Sequence, residues 1–393
     1  MKKRTAIILF FFLVVSVEFS QAQNSIIFSE TGLKAALEKG KAENKPVMLW
    51  CYSSTCHHCK VMKETVFPNA QVADYFNKTF VCVAQDMDKG AGPELNKTIK
   101  ISSFPTFIFY NSTGDMVYRV EGELKPDAFI AEGKNALNAK KQFPFLKQQF
   151  EKDISNSANC LEYIRALKKG GMDASDIASR YFATQSENQL LSEINWRVFT
   201  NGVTDFTSPM FQFVIKHQVE FAQITSKERV KRKLDFEVKN LLEPVLNTMD
   251  TLNYPTKRAL AAQIHSFSAD SLIFYYDLKL YDLSTNWKKY TESCLQFANK
   301  FAWNNHYQLA DIANNLLSYN QDSETLKKAL DMALRSSLLD EEYDTYLLCA
   351  RIYKKLNDKP NALKMAEKAK SFATKAGWEG KEAIDFINAA NKK

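Results

Sequence analysis

Residues 46–52, Pro-Val-Met-Leu-Trp-Cys-Tyr, form a short run that is apolar at both odd and even positions. That pattern predicts a strand covered on both faces of a sheet. Ahead of it, Leu33, Ala36 and Leu37 share one face of a helix expected to run out at Gly40. Behind it, Cys56 opens a helix through Lys60, Met62 and Val66, and residues 80–84 (Phe-Val-Cys-Val-Ala) predict a second buried strand. Residues 107–110, the turn Asn111-Ser112-Thr113-Gly114 and residues 116–120 predict a hairpin. Pro126 suits the first turn of a last helix. This succession of elements predicts an α/β domain, a mixed sheet with helices on both faces.

After Gln142-Phe143-Pro144 the strand signal stops. The α/β domain is therefore expected over residues 23–142, and residues 143–393 predict an all-helical domain with breaks at Gly170-Gly171, Gly202, Pro209, Pro244, Pro255 and Pro360. Toward the C-terminus Ala329 and Ala362 stand in similar contexts, close to one tetratricopeptide period apart. Tyr353, Ala362, Ala366 and Ala369 fall where such a unit places an aromatic and then small residues. A generic helical bundle accounts for the same pattern. Phe206, Phe211, Phe213 and Phe221 read as core, and the basic run at 227–233 as a solvated face, with an acidic partner as the alternative.

The first residues are a separate device. Lys2, Lys3 and Arg4 precede an apolar run of about 12 residues, and Ser20-Gln21-Ala22 puts small residues where a signal peptidase reads. The run is short for a bilayer span. Residues 1–22 predict a signal peptide cut after Ala22 and an exported, periplasmic protein, with an uncleaved anchor as the competing reading. The net charge of +7 is partly in this segment and otherwise thinly spread, without a basic block that would follow a phosphate backbone, so nucleic acid is not an expected partner.

Export makes the seven cysteines informative. A disulfide-stapled scaffold is shorter and denser in cysteine. Here Cys56 and Cys59 have redox-pair spacing, while Cys51 and Cys82 in strands, and Cys160, Cys294 and Cys349 in helical stretches, read as buried thiols. A cysteine at the start of a helix meets free N–H groups and the positive end of the helix dipole, which favour a thiolate at neutral pH. The second, one turn on, is close enough to close a small disulfide ring. His57 and His58 offer cationic partners that stabilise the reduced pair and make the couple more oxidising. A static disulfide, or a zinc or copper site built from thiolate and imidazole, competes with this reading. Covalent haem attachment fails because Lys60, not histidine, follows Cys59. His217, His265 and His306 are scattered, and the helical half shows no nucleophile triad, metal-ligand cluster or phosphate loop.

Residues 50–60, together with Phe104-Pro105-Thr106, resemble the thioredoxin superfamily, and within it the exported thioredoxin-like proteins akin to the C-terminal domain of periplasmic thiol–disulfide interchange reductases. Glu64-Thr65-Val66-Phe67, Asp86-Met87-Asp88 and Gly122 extend the resemblance over residues 28–140. It implies that Pro105 is cis and packs against the cysteine pair, with the Phe104 backbone, and Thr106 beside it, binding the substrate chain. The chain departs from the family at one point. The buried acid often found six residues before the first cysteine is Trp50 here, and its lysine partner falls at Ala84 or Gln85. Glu64 or water would then receive the Cys59 proton, or Cys59 would lose it slowly.

These readings predict an exported thiol–disulfide oxidoreductase in which Cys56 attacks, Cys59 resolves, His57 and His58 tune, and Phe104, Pro105 and Thr106 seat the substrate. No cofactor is required. Protein thiols or disulfides are the expected substrates, an upstream redox partner is needed, and the helical half is free to hold a protein ligand. Two other classes compete: a non-catalytic docking or chaperone module, and a metal-handling protein.

Overall fold

The computed structural model describes residues 25–319 and 322–391, so the expected signal peptide lies outside the described residues. Five strands, β1 (Phe28–Ser29), β2 (Val47–Tyr52), β3 (Val81–Asp86), β4 (Thr106–Tyr110) and β5 (Met116–Glu121), form one mixed sheet in the order β1-β3-β2-β4-β5. β2 lies at its centre, parallel to β3 and antiparallel to β4. Its position explains its composition. Met48 and Trp50 point into one core with Cys82, Phe107 and Phe109, while Val47, Leu49 and Cys51 point into another with Val83 and Ile108. Five helices cover the faces: α1 (Gly32–Glu43), α2 (His57–Val61), α3 (Ala70–Thr79), α4 (Gly92–Ile99) and α5 (Pro126–Leu137). Phe67, Phe76 and Phe129 close the first core from the side of α3 and α5, and Ala36, Leu37 and Leu95 close the second from α1 and α4.

The α/β expectation holds, with corrections in detail. α1 does not stop at Gly40 but runs on to Glu43. Gly40 is there for close approach: a Cβ would lie 2.6 Å from Val47 Cγ2 and 2.8 Å from the Lys45 carbonyl oxygen. The helix opened by Cys56 loosens after one turn into a π-helical turn, Met62–Val66. α3 and α4 add two helices to the expected order, the first capped by the Asn69 side chain, which accepts from the Gln71 and Val72 amides.

The remaining described elements are helical, in keeping with the all-α expectation. By contacts the chain divides into two compact units, one taking the described residues up to Leu190 with Ile194–Val203, the other Leu191–Glu193 and the residues from Thr204 on. In the first unit, α6 (Phe143–Lys152) and α7 (Ser157–Lys169) pack on β5, followed by α8 (Ser175–Phe182), α9 (Glu187–Leu190) and α10 (Glu193–Gly202). Lys169 Nζ donates to Glu132 Oε1 at 2.6 Å, and the Tyr118 hydroxyl donates to Glu132 Oε2 at 2.5 Å. Burial opposes the charge on Glu132, but hydrogen bonds from Lys169, Tyr118 and Asn135 outweigh it and hold the carboxyl below its usual range.

The second unit contains α11 (Pro209–Lys216), α12 (Gln218–Ile224), α13 (Lys227–Thr248), α14 (Tyr254–Ala262), α15 (Phe267–Leu283), α16 (Trp287–Phe297), α17 (His306–Tyr319), α18 (Ser323–Leu339), α19 (Tyr343–Lys355), α20 (Lys359–Lys375) and α21 (Lys381–Asn391). Pro209, Pro255 and Pro360 each sit in a first helical turn. Pro244 does not break its helix: it lies inside α13 on an exposed face, and the Asn240 carbonyl that it deprives of a donor belongs to an exposed residue. α17 to α21 pack successively on one another, with Ala329, Ala366 and Ala369 fully buried between them. The basic run at 227–233 is largely paired internally: Arg229 with Glu193, Lys231 with Asp235 and Lys233 with Glu237. Among the described residues no helix is long and apolar enough to cross a membrane.

Candidate active site

Tyr52 ends the central strand, and Ser53, Ser54 and Thr55 turn the chain toward α2. The turn is held from within: the Cys56 amide donates to the Ser53 carbonyl at 3.2 Å, and the Thr55 amide to Ser53 Oγ at 3.3 Å. Ser53 Oγ itself donates to Asp88 Oδ2 at 2.5 Å, and Lys89 Nζ donates to Ser54 Oγ at 3.0 Å. These bonds tie the cysteine loop to the segment after β3.

Cys56 is the N-cap of α2, in extended backbone conformation, and its sulfur accepts from the Cys59 amide at 3.4 Å. A sulfur in this place occupies the site where a helix start binds an anion. Cys56 Sγ–H also donates to the Phe104 carbonyl oxygen at 3.6 Å, and the Phe104–Pro105 peptide is cis. Cys56 is half-buried, whereas Cys59 is 3% exposed and both are free thiols. Burial pushes the Cys59 thiol up to about 12, reinforced by the hydrogen bond with Cys56 and by the charges of Cys56 and Asp86, against a lowering by the Ser53 backbone. The two sulfurs are thus unequal: one is accessible at a helix start, the other buried and held protonated.

The structure brings Cys56, Cys59 and Phe104-Pro105 into one place and distributes the other sequence candidates around it. His57 and His58 are exposed, their rings 5.8 Å apart, and His58 Nδ1 lies 2.8 Å from Glu123 Oε2 in the loop before α5. Thr106 is fully buried on β4, and its hydroxyl donates to the Ser103 carbonyl at 2.7 Å and to Glu121 at 3.5 Å. Trp50 is opposite Ala84 and Phe107 in the sheet and stacks on Tyr52 at 4.4 Å. Glu64 is exposed and pairs with Lys60.

Two carboxylates at the site escaped sequence reasoning in these roles. Asp86 lies opposite Tyr52 in the β2–β3 register, and its charge acts on both Tyr52 and Cys59. Glu123 meets His58 across 65 residues of chain. The register of two buried strands was the available signal for Asp86; no spacing rule points to Glu123. Cys51 and Cys82 are fully or almost fully buried, and burial raises both to about 12. Among the described residues, three potential ligands converge at His306, Asp340 and Glu342 and not at the Cys56–Cys59 segment.

Residues 33–137 match the family model of the thioredoxin-like domain. The chain is 35% identical over 79 residues to mouse spermatogenesis-associated protein 20, covering 20% of this chain and 9% of that protein. It is 28% identical over 105 residues to the thiol:disulfide interchange protein DsbD of Pseudomonas fluorescens, covering 26% of this chain and 18% of that protein. It therefore spans less than a fifth of the length of either relative. A solution structure of a candidate disulphide-isomerase from Bacteroides thetaiotaomicron aligns with 35% identity and a TM-score of 0.28, covering 29% of this chain and 95% of that one.

Proposed function

We propose that this chain, whose residues 33–137 are a thioredoxin-like domain, is an exported thiol–disulfide oxidoreductase working on protein disulfides through Cys56 and Cys59. One observation carries the reading: the half-exposed Cys56 sulfur caps α2 beside a buried second thiol and the Phe104 carbonyl. In the reducing direction, the Cys56 thiolate attacks one sulfur of a substrate disulfide. The other substrate sulfur leaves as a thiolate and takes a proton. The Cys59 thiolate then attacks Cys56 Sγ, the mixed disulfide breaks, and the second substrate sulfur leaves. Two electrons have passed to the substrate, and the enzyme holds a Cys56–Cys59 disulfide. A dithiol partner must supply those electrons for the next turnover.

The backbone of Phe104 next to Pro105 is the edge along which an extended substrate chain lies, its carbonyl already within reach of Cys56. Once Cys56 is in a mixed disulfide it carries no charge and no S–H. Two of the influences that hold Cys59 protonated are then gone, and the buried thiol becomes the resolving nucleophile at that moment. His57 and His58 bias the pair toward the dithiol, with the His58–Glu123 contact moderating that bias. The test is reduction of insulin disulfides by the full chain with dithiothreitol as electron source. A rate enhancement lost in Cys56→Ser is expected; an unchanged rate in that variant overturns the oxidoreductase reading.

A further inference from the structure

The helical half contains an open cavity of about 710 Å³ between α17, α19 and the turn after α20. That is the size of a ligand site rather than a packing fault. Among the described residues its wall carries three carboxylates, Asp311, Glu342 and Asp344, and a single cation, Arg351, which is itself bonded to Glu382. No lysine lines it. In a chain with a net charge of +7, a cavity so acidic stands apart from the average surface.

The second component is aromatic. Tyr307 and Trp378 line the cavity and remain 65% and 46% exposed. Both are held in place from behind: the Tyr307 ring lies on His306 at 3.8 Å, and Trp378 lies on the buried Tyr343 at 4.4 Å. Exposed rings fixed against a partner, with carboxylates among them, are the chemistry that recognises ammonium and guanidinium groups. Between these polar features Ala310 and Leu348 supply the apolar floor that the methylene stem of a long cationic side chain covers.

We propose that this cavity binds a lysine- or arginine-bearing stretch of polypeptide. The cationic heads meet Asp311, Glu342 and Asp344, the stems lie on the floor, and Tyr307 and Trp378 cover them. The volume, larger than one side chain needs, takes two such side chains with the backbone between them. The site is independent of the thiol chemistry, and its failure leaves the redox reading untouched.

The test is calorimetric titration of the full chain with a nine-residue peptide of alternating lysine and alanine, and with its glutamate counterpart. The lysine peptide is expected to bind with an affinity that falls as salt rises, and the glutamate peptide not to bind. Trp378→Ala is expected to weaken binding about three- to fivefold and Asp311→Asn with Asp344→Asn about tenfold, while insulin reduction and the circular dichroism spectrum stay unchanged. Equal binding of both peptides, or equal binding by the variants, overturns the proposal. So does spermidine binding as tightly as the lysine peptide, which would assign the cavity to free polyamines.

Discussion

Removing the cysteines one at a time separates their roles quantitatively. Cys59, pushed up to about 12, is a thiolate in only about one molecule in a hundred thousand at pH 7, against about three in a hundred for an ordinary exposed cysteine. In Cys56→Ser the charge of Cys56 is lost, but burial, the largest cause, remains. Cys59 in that variant is therefore expected to react with iodoacetamide at least about a hundredfold more slowly than Cys56 does in Cys59→Ser. The readout is mass spectrometry of the alkylated peptides over time at pH 7. Cys51 and Cys82, raised to about 12 by burial, are slow internal controls in both variants. If Cys59 in Cys56→Ser reacts within tenfold of Cys56 in Cys59→Ser, burial is not holding it protonated and the division of labour argued here is wrong.

Two further perturbations test the electrostatics. Asp86→Asn removes a negative charge that opposes the Cys59 thiolate, so release from a preformed mixed disulfide should quicken about two- to fivefold at pH 7, with its pH midpoint lowered. Slower release would instead make Asp86 the proton acceptor. The Glu132 carboxyl is held low in the folded protein, so its contribution to stability is complete above the ordinary glutamate value of about 4.3 and is lost as pH falls through the lower folded value. Glu132→Gln should accordingly lower Tm at pH 7, with the difference from wild type shrinking on acidification below about pH 4. A Tm difference independent of pH would remove the ion pair with Lys169 from the account.

Much of the α/β domain was legible because its strands are buried on both faces. The apolar runs around Trp50 and Val81 have no other stable place than the middle of a covered sheet, and the cysteine spacing located the helix that follows. What escaped was set by contacts distant in sequence or by few residues. α4 turns only two large apolar side chains, Leu95 and Ile99, toward the core, a stripe too short to stand out in the sequence, and β1 is two residues long. Gly40 reads as a helix stop in isolation, but it is the point where α1 passes the start of β2. Pro244 reads as a break, yet its ring and the carbonyl it frees both belong to exposed residues, which makes it tolerable. The same limit applies at the site. Cys56, Cys59 and Phe104-Pro105 announce themselves by motif, while the hydroxyl of Thr106 is committed within the protein and the His58–Glu123 pair exists only in the folded chain.

The central claim is that Cys56 captures the substrate sulfur and Cys59 releases it. It is tested most directly by incubating Cys59→Ser and Cys56→Ser with a disulfide-containing protein such as insulin and separating the products without reductant. Cys59→Ser should accumulate a covalent adduct through Cys56 that dithiothreitol dissolves, and Cys56→Ser should accumulate none. An adduct through Cys59 of comparable yield, or none in either variant, would contradict the account.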